Sequence, residues 1–214
     1  MVGKIRNTIR IKKIKVGHAG TLDPLATGLL IVCTGKLTKK IDEFQASDKE
    51  YTGTMILGAT TPSYDKETDI DQTFDISAIT AAMIHANCAI FLGEIDQVSP
   101  AYSALKIDGE RAYHKARRGE EVIIKSRKVT ISEFEITRIE LPEINFRVVC
   151  SKGTYIRSLV SDFGKNLANG AYLSALCRTR SGDFLLSDAW EIPTLVEKII
   201  EQNKIEKVFT EENR

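Results

Sequence analysis

Apolar residues recur at helical spacing in several parts of the chain. Val2, Ile5 and Ile9 predict an amphipathic helix over 2–13. The same spacing predicts further helices around 37–44, over 77–87, over 111–118 and over 154–168, and a short last helix around 195–200. Two of these segments end at residues that stop helices, namely Gly119 and the pair Asn169-Gly170.

Between these helices lie segments typical of β-strands. Tyr51–Leu57 alternates between polar and apolar residues and stops at Gly58. Other strands are predicted at 28–33, 121–125, 128–138, 144–150, 173–178 and 184–186, and the polar stretch 60–75 is predicted to be a loop. Strands and helices are mixed without regular βαβ alternation, so we expect an α+β fold with a mixed or antiparallel sheet.

Composition is that of an ordinary globular protein. The chain has 214 residues, 43% hydrophobic and 28% charged, which fits one good-sized domain or one and a half. We expect no signal peptide and no membrane segment, because no apolar run approaches the length of a span. The four cysteines are far apart and form no CxxC pair, so we expect no metal site, no disulfides and a cytoplasmic location.

Positive charge is concentrated in two segments although the formal net charge is only +1. Residues 1–22 carry six Lys or Arg and no acid, and residues 106–128 carry eight Lys or Arg against four Asp or Glu. Segregated charge of this kind can form a basic face for nucleic acid. Two ordinary solvated surfaces would account for it equally well.

One glycine-rich turn holds a single carboxylate, Asp23, with His18 five residues before it and Pro24 after it. Proline disfavours the helical region for the preceding residue, and glycine permits tight turns. Asp-Pro alone is also a common helix start. The full string over 17–30, GHAGTLDPLATGLL, resembles the signature of the TruB-type tRNA pseudouridine synthases, in which this aspartate is catalytic.

Two further segments resemble motifs of this family in the same order. Lys49-Glu50-Tyr51 with Tyr64-Asp65 resembles the next one, which implies that Tyr51 stacks on the target base and that Asp65 belongs to the active-site network. The segment 97–119 resembles QxPPxYSAxKxxGxxxYxxARxG, with Ser99 where the pattern prefers proline. Its basic residues and interleaved tyrosines suit contacts with RNA.

The last two motifs supply the remaining site residues. Gly-Thr-Tyr-Ile-Arg at 153–157 implies that Arg157 pairs with the catalytic aspartate, and a nearby cation stabilises an ionised carboxylate. The segment 176–182 implies that Leu176 and Tyr155 wall the uracil pocket and that Arg178 lies near a phosphate. In the family, His18 packs against the RNA where the target base has left its stack.

The resemblance implies a fold, a reaction and a partner. It implies the pseudouridine synthase fold, with a central mixed or antiparallel β-sheet flanked by helices and loops. The reaction converts a uridine of the tRNA T-loop (position 55 in the usual count) to pseudouridine, and it needs no cofactor or metal. Asp23 attacks C1′ or takes the C2′ proton, and Tyr51 is the candidate to remove the C5 proton. We expect a monomer that binds the tRNA T-arm and no membrane.

The resemblance also predicts the division of the chain. Residues 1–192 are expected to form a catalytic domain that lacks the family's N-terminal Lys-Pro-x-Gly strand, and 193–214 a C-terminal helix and tail in place of a further RNA-binding domain. An RNA-binding, folding-assisting protein of the same fold with weak or no catalysis is the alternative. A glycoside hydrolase or nucleosidase would need a second carboxylate facing Asp23, for which Asp65 is the candidate.

Overall fold

The computed structural model describes residues 1–9, 13–103, 105–107, 109–120 and 123–212. The helices are α1 (Val2–Ile9), α2 (Ile41–Ala46), α3 (Ala81–Ile90), α4 (Ala112–Arg117), α5 (Ile156–Asn166) and α6 (Ile192–Glu212). The strands are β1 (Val16–Ala19), β2 (Ala26–Gly28), β3 (Ile31–Thr34), β4 (Lys49–Leu57), β5 (Ala59–Thr60), β6 (Gln72–Thr73), β7 (Gly93–Gln97), β8 (Lys106–Ile107), β9 (Glu110–Arg111), β10 (Arg127–Glu140), β11 (Glu143–Cys150), β12 (Ala171–Ser181) and β13 (Phe184–Leu185). Within these described residues, no helix is both long and apolar enough to span a bilayer.

A seven-stranded sheet forms the centre of the fold. Its order is β13-β12-β4-β11-β10-β7 with antiparallel neighbours, and β2 pairs in parallel with β12 outside that order. The mixed sheet confirms the predicted α+β class. The parallel pairing places residues 26–28 beside residues 176–178, which attaches the segment following Asp23 to the sheet.

The hydrophobic core fixes helix α5 on this sheet. Leu159 and Phe163 of α5 are fully buried, and Phe163 meets the ring of Phe134 edge-on at 5.7 Å. Phe134 in turn meets Phe146 of β11 at 5.9 Å. Burying a side chain of this size contributes about 1.5–3 kcal/mol. The packing therefore holds the first turn of α5, which carries Arg157, in a fixed place.

A separate two-stranded ribbon carries the glycine-rich turn. In it β1 pairs antiparallel with β3, and α1 and α2 pack against β1. A Cβ at Gly17 would lie 2.6 Å from Cδ1 of Ile41, so the glycine allows α2 to approach the ribbon. Because β1 ends at Ala19, the ribbon delivers the chain directly into the turn that contains Asp23.

Most of the predicted elements are present with shifted ends. The predicted strand Tyr51–Leu57 is β4, which ends before Gly58 at a φ of +90°. The helices predicted over 111–118 and 154–168 are α4 and α5, and the strands predicted at 128–138, 144–150 and 173–178 lie within β10, β11 and β12. Cys33, Cys88 and Cys150 are buried free thiols and Cys177 is half-buried.

The single strand predicted at 28–33 is wrong. The chain instead forms β2 up to Gly28 and β3 from Ile31. Gly28 has a φ of +101°, and the Leu29 amide donates to the Arg178 carbonyl at 2.8 Å. The Leu29 hydrogen bond keeps the chain on β12, and the chain then leaves β12 to pair with β1 as β3, so one strand cannot continue through both segments.

Two helix predictions need different boundaries. The helix predicted over 77–87 begins at Ala81, because the Thr80 hydroxyl accepts a hydrogen bond from the Met83 amide and caps the helix there. The helix predicted over 2–13 is α1, described up to Ile9. Lys13 lies in a turn with a φ of 64°, and residues 10–12 lie outside the described part of the chain.

Three further predictions differ in extent. The last helix, α6, has 21 residues and is not short. The predicted loop 60–75 contains β6 and the end of β5, which pair with each other. Of the strand predicted at 121–125, residues 121–122 lie outside the described residues and 123–125 form no strand.

Candidate active site

A cavity of about 830 Å³ opens where the Asp23 turn meets the central sheet and the first turn of α5. Six of the predicted site residues line it: Asp23, Tyr51, Tyr155, Arg157, Leu176 and Arg178. They come from four separate parts of the sequence, which only the fold brings together. His18 and Asp65 are not among the lining residues.

Arg157 donates two hydrogen bonds to the Asp23 carboxylate. Its Nε lies 3.0 Å from Oδ2 and its Nη2 lies 2.8 Å from Oδ1. The predicted contact across 134 positions is therefore present, in the bidentate geometry that fits guanidinium to carboxylate. The Arg157 side chain is 4% exposed and that of Asp23 is 25% exposed, so the carboxylate is fixed from behind and open to the cavity.

Asp65 forms an ion pair with another nitrogen of the same guanidinium. Its Oδ2 lies 3.4 Å from Nη1 of Arg157, and the residue is 1% exposed. The Ser63 hydroxyl at 2.6 Å and the Glu67 amide at 2.8 Å donate to its Oδ1. Asp65 therefore lies behind Arg157 and does not face Asp23 across the cavity, as a glycosidase pair would require.

Two carbonyl groups complete the surroundings of Arg157. Its Nη1 donates to the carbonyl of Tyr102 at 3.0 Å and to that of Ser63 at 3.3 Å. Since Tyr102 belongs to the segment 97–119, this contact connects that motif to the ion pair. The guanidinium is bonded on all sides and has little freedom to rotate.

Tyr51 lies on β4 with its ring at the cavity wall. It is directly opposite Arg178 in the pairing of β4 with β12. Burial raises the pKa of the Tyr51 phenol, and the positive charge of Arg178 counteracts part of that rise. The phenol is therefore protonated near neutral pH.

Tyr155 and Leu176 form further walls of the cavity. The backbone of Tyr155 is held by Gln97, whose Oε1 accepts from the Tyr155 amide at 2.8 Å and whose Nε2 donates to the Tyr155 carbonyl at 3.1 Å. The guanidinium of Arg127 lies 4.7 Å from the centre of the Tyr155 ring. Leu176, on β12, is 6% exposed. Together these contacts give the cavity an apolar side of fixed shape.

Arg178, which is predicted to lie near a phosphate, lines the cavity and contacts the backbone around Asp23. It is 1% exposed, and it donates from Nε to the Leu29 carbonyl at 2.8 Å and from Nη2 to the Gly20 carbonyl at 3.2 Å. A guanidinium engaged in this way holds the chain around Asp23. These contacts favour a role in anchoring the turn, and the contact with a phosphate stays a prediction.

His18 lies outside the cavity, on the ribbon. It is half-buried on β1, opposite Val32 of β3, and its buried Nδ1 has no hydrogen-bond partner among the described residues. The structure therefore does not bring His18 together with the ion pair. Its side chain belongs to the ribbon that leads into the Asp23 turn.

Two features of the cavity were not predicted as site residues. Lys49 is 6% exposed, and it donates to the carbonyl of Gln45 at 2.7 Å and to the carbonyl of Ser47. The pKa of Lys49 is lowered, first by burial and next by the positive charge of Arg178. Glu67 and Arg117 form an ion pair at the cavity rim. Lys49 is near Tyr51 in the Lys49-Glu50-Tyr51 motif, whereas nothing in the sequence indicates the contact of Glu67 with Arg117.

Within the described residues, no three His, Cys, Asp or Glu side chains form a group that could hold a metal ion.

Comparison with known proteins identifies the family. The chain matches the model of the TruB family pseudouridylate synthase (N terminal domain) over residues 6–156. The tRNA pseudouridine synthase B of Flavobacterium johnsoniae is 62% identical over 188 residues, which is 88% of this chain and 82% of that protein. The protein of the same name from Phocaeicola vulgatus is 50% identical over 215 residues, 99% of this chain and 91% of that one.

Solved structures show the same fold. A chain of a Cbf5-Nop10-Gar1 complex superposes with a TM-score of 0.64 at 31% identity over 86% of this chain. A chain of an H/ACA RNP bound to a substrate RNA containing 2′-deoxyuridine gives a TM-score of 0.61 at 28% identity over 86% of this chain. This chain spans 45% and 43% of the length of those two. The chain described here therefore belongs to the TruB family of pseudouridylate synthases.

Proposed function

We propose that this protein converts a uridine of the tRNA T-loop, the position-55 uridine, into pseudouridine. The observation that carries the proposal is the Asp23 carboxylate, fixed by Arg157 and open to a cavity that Tyr51 also lines. At about 830 Å³ the cavity lies within the usual size of small-molecule sites and can admit one nucleoside.

The isomerisation breaks one bond and forms another on the same sugar carbon. The C1′–N1 bond breaks, the uracil turns within the cavity, and a new C1′–C5 bond forms. The proton on C5 is then lost and N1 gains a proton, so no atom is added overall. Positive charge builds at C1′ during the first step, as in glycoside cleavage, and a nearby carboxylate stabilises it.

Asp23 is proposed as the catalytic group. It either attacks C1′ and forms a covalent intermediate or removes the proton from C2′, and both roles require an ionised carboxylate beside the sugar. Arg157 supplies the positive charge beside that carboxylate and holds it at one angle. Because Asp65 shares the guanidinium from behind, it acts on Asp23 only through Arg157.

Tyr51 is proposed to stack on the uracil and to take the C5 proton in the last step. Burial keeps the phenol neutral, so it can act as a base only if its own proton leaves as the C5 proton arrives. Tyr155 and Leu176 are proposed to hold the turned uracil between apolar surfaces. Their fixed positions restrict the directions in which the free base can rotate.

RNA binding requires the target nucleotide to leave its stack. This step costs a few kcal/mol, which contacts in the cavity have to offset. Exposed basic residues at the rim, including Lys152 and Arg117, are suited to phosphate contacts. We propose that His18 packs against the RNA at the position that the target base leaves.

The remaining assignments are part of the same proposal. We propose that residues 1–192 form the catalytic domain and that 193–214 follow it as a helix and tail. We further propose that the protein acts as a monomer on the T-arm, in the cytoplasm, without a bound cofactor or metal.

A proton-release assay tests the proposal. A T-arm RNA labelled with tritium at uracil C5 loses the label to water when C1′–C5 bond formation displaces it. We expect release of one tritium per target uridine, and a T-arm with cytidine at that position serves as the control. RNA binding without tritium release would favour the folding-assisting alternative.

A further inference from the structure

Arg178 connects both ends of the segment that carries Asp23. Its Nη2 donates to the carbonyl of Gly20, three residues before Asp23, and its Nε donates to the carbonyl of Leu29, six residues after it. The side chain is 1% exposed and is among the largest that are fully buried. One rigid guanidinium fork therefore sets the distance between the two ends of the turn.

The backbone of Arg178 reinforces this connection. The Leu29 amide donates to its carbonyl at 2.8 Å, and Gly28 lies opposite it in the pairing of β2 with β12. A Cβ at Gly28 would lie 2.4 Å from that carbonyl oxygen, so the two backbones are in direct contact. A shift of Arg178 would therefore move the turn as a whole.

Tyr51 lies beside the same residue. The two residues are opposite each other on β4 and β12, and the positive charge of Arg178 counteracts part of the rise that burial causes in the pKa of Tyr51. The strand pairing therefore connects the position of the Asp23 turn to that of Tyr51.

We infer that Arg178 is a positioning residue that holds the Asp23 turn against β12, in register with Tyr51 on β4, and that it does not bind a phosphate. The inference rests on the proposed isomerisation. A phosphate ligand would have to displace hydrogen bonds to two carbonyls from a residue that is 1% exposed.

Three variants test this role. Arg178→Met removes all its donors, and Arg178→Lys keeps the charge but bonds from a single nitrogen. Arg180→Met is the matched control, because Arg180 lies two residues further along β12, is half-buried and donates to the Gly182 carbonyl at 3.3 Å. For each protein we would measure the single-turnover rate at saturating enzyme, tRNA affinity over a series of salt concentrations, and the melting temperature.

A positioning role predicts a loss of rate without a loss of binding. Displacing a reacting group by about 1 Å costs roughly 100-fold in rate, so Arg178→Met should lose about that factor at saturation. Its tRNA affinity and the slope of affinity against salt should match those of the Arg180→Met control. Arg178→Lys should recover only part of the rate, since one ammonium group does not reproduce the fork.

Several outcomes would overturn the inference. A phosphate contact predicts weaker binding, a salt slope smaller by about one, and an unchanged rate at saturation. A purely structural role predicts a lower melting temperature with an unchanged rate. If Arg178→Met does not fold, Arg178→Lys decides, because full activity in that variant would exclude positioning by the fork. Failure of the proposed function itself would show separately, as an inactive parent protein.

Discussion

Replacing Arg157 with methionine is predicted to destabilise the fold chiefly through Asp65. Asp65 is 1% exposed, so the substitution leaves a buried carboxylate without its cation, whereas Asp23 can still reach solvent. Breaking a buried ion pair by removing one partner costs about 3–5 kcal/mol. Because Ser63 and Glu67 still donate to Asp65, we expect a loss near the lower limit, about 3 kcal/mol in the free energy of unfolding.

Urea denaturation of a four-protein cycle would measure this loss. The set contains the parent protein, Arg157→Met, Asp65→Asn and the double variant. Neutralising Asp65 in the Arg157→Met background should recover about 2 kcal/mol, since it removes the uncompensated charge. Conversion of tRNA should stay lost in the double variant, because Asp23 still lacks its bidentate partner. A loss below about 1 kcal/mol for Arg157→Met, or no recovery in the double variant, would refute the reasoning.

Three further predictions concern the sheet and the RNA. A hydrogen bond from Thr179 is the main cause that holds the pKa of Glu50 below its ordinary 4.5, so Glu50→Gln should lower the free energy of unfolding by about 1 kcal/mol at pH 7. This difference in stability between the parent protein and the variant should vanish as pH falls below 4.5 through the lowered folded-state pKa of Glu50, and a pH-independent difference would contradict the prediction. Gly28→Ala should destabilise far more than Gly119→Ala in the same denaturation assay, because both have positive φ but only Gly28 has backbone within 2.4 Å of the added Cβ. Affinity for tRNA should fall steeply with salt in a filter-binding series, and a flat dependence would exclude a phosphate-bound complex.

The sequence was most informative where structure is local or where a motif is long. The alternating pattern of Tyr51–Leu57 predicts β4, and the basic segment before Gly119 predicts α4, because both depend on near neighbours in the chain. The pairing of Asp23 with Arg157 has no local signal. It could be predicted only from the resemblance to a family whose motifs lie in the same order.

What could not be predicted depends on contacts between distant segments. Nothing near Gly28 in the sequence shows that β12 lies against it, so one strand was predicted where the chain forms two. The two hydrogen bonds between the Gln97 side chain and the backbone of Tyr155, one donated and one accepted by Gln97, join residues 58 positions apart. The family resemblance places Arg178 near a phosphate, whereas in the structure its hydrogen-bond partners are carbonyls at the two ends of the Asp23 turn.

The central claim is that Asp23 performs the chemistry and that its partners hold it in place. The most direct test is single-turnover conversion of an unmodified tRNA by the parent protein and by Asp23→Asn, with tRNA affinity measured for both. The amide keeps the shape of the carboxylate, so we predict unchanged affinity, pseudouridine from the parent protein, and no product from the variant. Product from Asp23→Asn at the rate of the parent protein would contradict the claim, and loss of binding in that variant would show that Asp23 is structural.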